Sequence, residues 1–376
     1  QLAAGEAARV DGRYTVLDRA VASSCRICAD GGAPLWRIRA ARVVHDTEEQ
    51  RLRFSHPRFE VAGVPVGYLP SLELPGPGVE RARGFLVPEL KATNRFGTGL
   101  KLPYFIPLGR SADLTLTPYL ARDTRTLELR YRQAFRRGDL TLEGAVSEDP
   151  TPGGLRGYLF AEGGFALARG FDLSFSVETV SDDAYLSDYG ISQTDRLEST
   201  VTVSRTRRDA HLSAGLSHFE TLRAGESNDT QPTEIAEAAA FRRADAPGLG
   251  GTLTGEIDVL AFARASDRDV VGRDVARLTG RGGWTRRWPL AAGASLTTRA
   301  ELAADYYAIG DDSAAAATST RLTPALSAGL RWPLIRPLAG GGQETLEPIA
   351  QLAWSTSTDA DIPNEDSRSA ELDEGN

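Results

Sequence analysis

The stretch TLELRYRQAF, residues 126–135, decides the fold. Leu127, Leu129 and Tyr131 fall on one side of an extended chain and Glu128, Arg130 and Arg132 on the other, because successive strand side chains point to opposite faces. Such a strand has one face suited to hydrocarbon and one suited to water. FDLSFSVETV (171–180) sorts the same way, with Phe171, Leu173, Phe175 and Val177 opposite Asp172, Ser174, Ser176 and Glu178. In RLESTVTVSR (196–205), Leu197, Val201 and Val203 oppose Glu198, Thr200 and Thr202. Further alternating segments lie near 97–106, 112–121, 138–147, 155–167, 209–219, 233–241, 252–263, 275–287, 293–308, 319–332 and 346–354, and helical periodicity is nearly absent. The expected fold class is all-β.

Most of these segments are longer than the roughly 5–6 residues of an ordinary soluble strand and suit a tilted crossing of a bilayer, which takes about 9–11 residues. Brief connections such as RDT (122–124), RRG (136–138) and RR (207–208) contrast with polar stretches at 148–154, 181–195, 222–232, 264–274, 309–318 and 355–376. Short turns at one rim and long loops at the other are the layout of an outer-membrane barrel. A large soluble β-sandwich also alternates, but it has no need for a charged face on ten-residue strands. The mean hydropathy of -0.28 does not exclude a membrane barrel, since only alternate residues meet lipid. No run approaches the 18 or so apolar residues of a spanning helix. A net charge of -8 without any dense Lys/Arg block argues against a nucleic-acid partner. Gln1 is not a start residue and no signal sequence is visible, so an export signal is expected outside this stretch.

Before residue 84 the texture differs. YTVLD, LWRIRAARVVHD, RLRFSHPRFEVAG and VPVGYLP read as closely spaced strands of a small β domain, and the Pro/Gly-rich LPSLELPGPGVERARG (69–84) as a junction. The expected organisation is a β domain over 1–68, a junction over 69–83 and barrel strands over 84–376, about 15 in number, an odd count that suits an incomplete barrel. GFLVPELKATNRFGTGLKLPYFIP (84–107) reads as two barrel strands around a turn, each with a proline, Pro88 or Pro103, in its middle.

Cys25 and Cys28, the only cysteines, form a C-x-x-C pair that suits half a zinc site, a redox pair or a structural bridge. Zinc fits least, because there is no second such pair and His45, His56, His211 and His218 are scattered; no metal is expected. In an exported protein the oxidising compartment favours a disulfide, with partners that spacing alone leaves open. Nucleophile elbow, Walker and H-E-x-x-H signatures are missing, so neither an enzyme nor a cofactor is expected. GLGGTL (248–253) precedes a strand and reads as a hairpin turn. The acidic pairs Asp182 with Asp183 and Asp311 with Asp312 fall in loops, where solvated or cation-bridging roles are expected.

The ordered series W-x-I-x-A (36–40), VVHD (43–46), GVPVGYLP (63–70), GFLVPEL (84–90), LPYFIPL (102–108), DLTLTPYL (113–120) and IPNEDS (362–367) resembles the LptD family of lipopolysaccharide-assembly outer-membrane proteins, also called organic solvent tolerance proteins. The resemblance is densest over residues 25–135. It implies the end of a periplasmic β-jellyroll followed by the first part of a very large antiparallel transmembrane barrel, the jellyroll periplasmic and the barrel in the outer membrane. Lipopolysaccharide would arrive from a periplasmic jellyroll bridge protein and leave sideways into the outer leaflet, between first and last strands, with a plug lipoprotein in the lumen and outer-membrane lipids around it. Pro88 and Pro103 would then weaken the closing seam as a lateral gate; without transport meaning they are bulge or rim residues. Trp36, Ile38, Val44, Phe54, Phe59 and Val61 are candidates for the acyl-chain path, or else plain core. Glu128, Arg130, Arg132, Asp172 and Glu178 are candidates for the lumen wall. In the family's best-known members N-terminal cysteines bridge to a pair near the C-terminus; that pair is missing here, which also leaves room for a local Cys25–Cys28 bond. Alternatives are a general porin or barrel enzyme, and a soluble β-sandwich adhesin.

Overall fold

A computed structural model describes residues 2–23, 36–61, 63–76, 79, 81–151, 154–358 and 362–363. Cys25 and Cys28 lie outside these residues. The chain divides into two compact units, residues 1–89 with 101–117, and residues 90–100 with 118–376.

In the first unit, β1 (Leu2–Ala3), β2 (Glu6–Val10), β3 (Tyr14–Ala22), β4 (Trp36–Asp46), β5 (Arg51–Ser55), β6 (Arg58–Val61), β7 (Val64–Tyr68) and β8 (Ser71–Pro75) make one eight-stranded sheet. Its strands pair antiparallel. β8 pairs with β5 along its whole length, so this sheet continues past residue 68 into the stretch expected as a junction. One face is closed by Ala20, Ile38, Ala40, Val43 and Phe54, all buried, with Trp36, Phe59, Leu72 and Leu74 packed around them. At the sheet's end the Arg13 guanidinium donates to both Asp46 oxygens, at 2.9 and 2.6 Å.

The two segments expected as continuous strands are each broken. The first becomes β9 (Gly84–Phe85) and β10 (Glu89–Thr93), the second β11 (Gly97–Lys101) and β12 (Tyr104–Pro107). Pro88 lies in the first gap and Pro103 in the second. The physical reason is the missing N–H of proline together with the extended conformation it forces on its predecessor. β9 pairs with β12, and the Leu86 N–H donates to the Pro103 carbonyl at 2.8 Å, so Pro103 still serves as an acceptor.

β13 (Ala112–Ala121) leads into a long antiparallel meander: β14 (Arg125–Phe135), β15 (Gly138–Glu148), β16 (Arg156–Ala166), β17 (Asp172–Val180), β18 (Arg196–Arg207), β19 (Ala210–Thr221), β20 (Glu234–Asp245), β21 (Thr252–Ala263), β22 (Asp274–Pro289), β23 (Ser295–Gly310) and β24 (Thr318–Arg331). From β14 to β24 each strand hydrogen-bonds to the next, and β24 pairs with β27 (Ile349–Ser355) after a small hairpin of β25 (Leu334–Pro337) and β26 (Gln343–Leu346). This is the antiparallel strand pattern of a barrel, read from the chain's own pairing.

The pleat carries two faces across the meander. Leu127 pairs with Val146, Leu216 with Ala236, Ile257 with Gly280 and Leu302 with Pro324 on one face, where the large apolar side chains stand exposed. Trp284, Trp288 and Phe135 mark one end of this greasy face, with Arg286 at 3.6 Å over the Trp288 ring. Aromatic residues of this kind suit the level of lipid headgroups.

Connections alternate between the two ends. The turns 136–137, 167–171, 208–209, 246–251 and 290–294 share one end, and 122–124, 149–155, 181–195, 222–233, 264–273 and 311–317 share the other. RDT at 122–124, grouped above with the short turns, therefore belongs to the long-loop end. GLGGTL closes a hairpin as expected, with Gly250 and Gly251 at φ +68° and +83°, a region that glycine enters without penalty.

Candidate functional site

The face opposite the exposed apolar rows surrounds a cavity of about 600 Å³ on the β18–β24 wall. Register makes it polar. The cross-strand row Asp258, Thr279, Asp305 and Arg321 runs over four strands. Within it Asp305 accepts from the Thr279 hydroxyl at 2.7 Å and from Arg321 at 2.9 Å, while Arg321 also donates to the Tyr307 hydroxyl at 3.0 Å. Arg281 reaches Glu256 at 2.9 Å and Glu301 at 3.4 Å, so one cation ties three strands. Charges and hydroxyls held in pairs give a surface that can hydrogen-bond a polar cargo without carrying a large net field.

The lumen candidates join this face through the sheet register. Thr202 of the cavity pairs with Ser174, which shares its face with Asp172 and Glu178; Glu178 pairs with Phe160, and Tyr158 on that face pairs with Ala145, itself opposite Glu128. Arg130 pairs with Glu143, and Arg132 with Thr141, on the same side. The structure thus gathers Glu128, Arg130, Arg132, Asp172 and Glu178 onto the cavity-lining face. Of the path candidates, Trp36, Ile38, Phe54 and Phe59 meet in the apolar cluster of the first sheet. Val44 lies outside that cluster and Val61 is exposed.

At the long-loop end the segment 181–195 folds onto the sheet, which its polar composition did not reveal. Its short helix α1 (Tyr185–Asp188) buries Tyr185 and Leu186 with Tyr189, Phe96, Tyr119, Leu197 and Leu222. The anchor is Arg156, whose side chain is 4% exposed and donates to Asp149 at 2.9 Å, to both oxygens of Asp182 at 2.8 and 2.7 Å and to Asp188 at 2.9 Å. Asp182 is therefore a partner of arginine and not a solvated loop acid; the Arg156 guanidinium holds its carboxyl down to about 2. Burial opposes the charge on Asp149, yet hydrogen bonds from Thr151, Tyr189 and Arg156 hold it below the usual carboxylate range. Beneath lies a hydroxyl network: Tyr185 with Ser147 and Tyr189 with Thr124, both at 2.7 Å. Burial raises both tyrosines.

Adjacent long loops are tied one to the next. Arg223 donates to Asp195 at 2.7 Å, the Ser266 N–H to the Asp229 carbonyl at 3.0 Å, and Arg273 to Asp312 at 2.6 Å, so Asp312 too is an arginine partner. His211 and His218 bind separate neighbours, Thr206 and Glu234. Among the described residues no cluster of three or more His, Cys, Asp or Glu side chains is arranged to hold a metal.

The boundary between the two compact units falls between Glu89 and Leu90, between Leu100 and Lys101, and, within the unbroken β13, between Thr117 and Pro118. Pro88 stands two residues before the first cut and Pro103 three residues after the second.

The family model described as LPS transport system D (LptD) matches residues 154–376. A curated relative, the LPS-assembly protein LptD of Shigella dysenteriae serotype 1, is 30% identical over 192 residues, covering 48% of this chain and 24% of that protein. Its counterpart from Yersinia enterocolitica is 34% identical over 144 residues, covering 37% of this chain and 18% of that protein. The matched stretch spans about a quarter or less of these relatives. Among solved structures, Pseudomonas aeruginosa OccK11 (OpdR) aligns over 73% of this chain and 94% of its own, at 11% identity and a TM-score of 0.25.

Proposed function

Because this chain belongs to the LPS transport system D (LptD) family, we propose that it is part of an outer-membrane translocon that receives lipopolysaccharide from a periplasmic bridge protein and delivers it to the outer leaflet. The single observation that carries this reading is the division of the β14–β24 meander into an exposed apolar face and a face of paired charges around a cavity. An amphipathic lipid needs both environments at once: hydrocarbon for acyl chains outside, hydrogen-bonding groups for sugars inside. Glu128, Arg130, Arg132, Asp172 and Glu178 serve on the polar wall, which also holds a plug lipoprotein. The first sheet, β1 to β8, is the periplasmic end of the route, with Trp36, Ile38, Phe54 and Phe59 in its apolar cluster.

In this reading Pro88 and Pro103 form the lateral gate. Supporting it, each proline interrupts its strand, and an interrupted ladder has fewer hydrogen bonds to break on opening. The chain's role is passage and not bond chemistry.

The test uses the whole protein in its own membrane. Cysteines placed in β10 and in the last barrel strand are crosslinked, and surface lipopolysaccharide is followed by pulse labelling. Export should stop on crosslinking and resume on reduction. Export that continues through a locked seam would remove the gate from the mechanism, and recovery of the protein in a detergent-free soluble fraction would favour the β-sandwich alternative.

A further inference from the structure

We propose that the outer face of β18–β23, near the short-turn end, seats one anionic phospholipid of the leaflet that meets that end. The proposal rests on these strands spanning a bilayer, as read above, but concerns the outside of the wall and not the exported cargo.

Register assembles the seat. Arg207, Ala210, Arg242, Gly255, Gly282 and Leu302 are successive cross-strand partners on the greasy face. Arg207 and Arg242 stand two strands apart, about 10 Å at the usual strand spacing, and two long guanidinium side chains converge on one phosphate over that distance. Neither has a carboxylate partner among the described residues. Arg243, the sequence neighbour of Arg242, does, at 2.7 Å from Asp209. Unpaired arginines at the edge of an apolar belt seek anionic headgroups, and the planar guanidinium matches phosphate geometry.

Beside them the apolar layer has a gap. Gly255 and Gly282 lack side chains, and a Cβ built on either would meet nothing within 4 Å. Four residues further along the same two strands this face is filled by Val259 and Leu278, which pair with each other. The result is a groove of about 640 Å³ walled by Leu253, Trp284 and Leu302, with Arg242 at its margin. A bare anion would use the arginines and leave the groove empty; an acyl chain with a phosphate at its end uses both. The Trp284 indole donates to the Gly250 carbonyl at 2.8 Å, which fixes one wall and places it at headgroup depth.

The test measures lipid retained by the full chain purified in mild detergent, delipidated and then offered phosphatidylglycerol, phosphatidylcholine or inorganic phosphate, with bound lipid counted by native mass spectrometry. Wild-type protein should hold about one phosphatidylglycerol, preferred over phosphatidylcholine by at least about fivefold, the contribution of a single arginine near an anionic headgroup layer. The double variant R207Q/R242Q should lose that preference, and G282L, which fills open space, should lose both lipids, while each keeps the heat-dependent gel shift of a folded barrel. Unchanged retention in both folded variants overturns the proposal. So does full displacement of phosphatidylglycerol by millimolar inorganic phosphate, which would reduce the seat to a bare anion site. Soluble recovery without detergent would instead remove the membrane reading beneath it.

Discussion

Replacing Arg156 with alanine should free residues 181–195 while leaving the strand ladder intact. The guanidinium is 4% exposed, and its partners Asp149 and Asp188 are 0% and 12% exposed. Removing one member of a buried ion pair leaves an uncompensated charge at a cost of about 3–5 kcal/mol. Tyr189 and Thr151 still donate to Asp149, which offsets about 1 kcal/mol. Asp182 is 36% exposed and its screened pair adds at most about 1 kcal/mol. A net loosening of about 2–5 kcal/mol corresponds to roughly 30- to 4,000-fold faster local opening. Hydrogen exchange reads it directly, because the amides of Tyr189, Gly190 and Ile191 donate within the loop to Tyr185, Ser187 and Leu186. Peptides from β20–β23 are the internal control and should not change. Exchange within about threefold of wild type in 181–195, a smaller effect than even one ordinary hydrogen bond predicts, would refute the anchoring role. Acid gives the same answer without mutation. The Asp182 carboxyl is depressed to about 2, so its contribution is complete above the ordinary aspartate value near 3.9 and is lost as pH falls through about 2. The loop should tighten no further above pH ~5 and loosen between pH ~4 and ~2.

Three further outcomes are expected. Ile257→Arg, on the exposed apolar face, should destabilise the reconstituted barrel by about 2–4 kcal/mol, whereas Ala239→Ser on the cavity face should be near neutral; the fraction unfolded in urea, read by gel shift, distinguishes them. Pro88→Ala with Pro103→Ala restores two backbone donors and should slow export while raising the unfolding midpoint, and faster export would contradict the gate reading. Asp46, held down to about 2 by Arg13, should keep the first sheet's stability flat above pH ~5 and let it fall between pH ~4 and ~2, with Trp36 fluorescence as the readout; Asp46→Asn should abolish that acid transition.

The strands were legible because their signal is local: alternation in residues 126–135 needs nothing but the pleat to become two faces. Register then carried the lumen candidates Glu128, Arg130, Arg132, Asp172 and Glu178 to a common side, as the alternation required. What the sequence hid depends on contacts between distant segments. Arg156 and Asp182 are 26 residues apart, and nothing in SDDAYLSDYG announces that its tyrosines turn inward. Leu197 illustrates the limit, since it follows the apolar alternation of β18 yet is buried beneath that loop. The strand breaks at Pro88 and Pro103 were foreshadowed by chemistry, but whether a sheet bends or splits at a proline depends on its neighbours.

The ties between successive long loops have a mechanical corollary. Hairpins joined only by their ladder hinge independently, so a pull on one parts it from the next. Linked through Asp195, Asp229 and Asp312, the arc from β17 to β24 behaves as a hoop that shares load along its circumference, and compliance is left to strands that carry no such stitching.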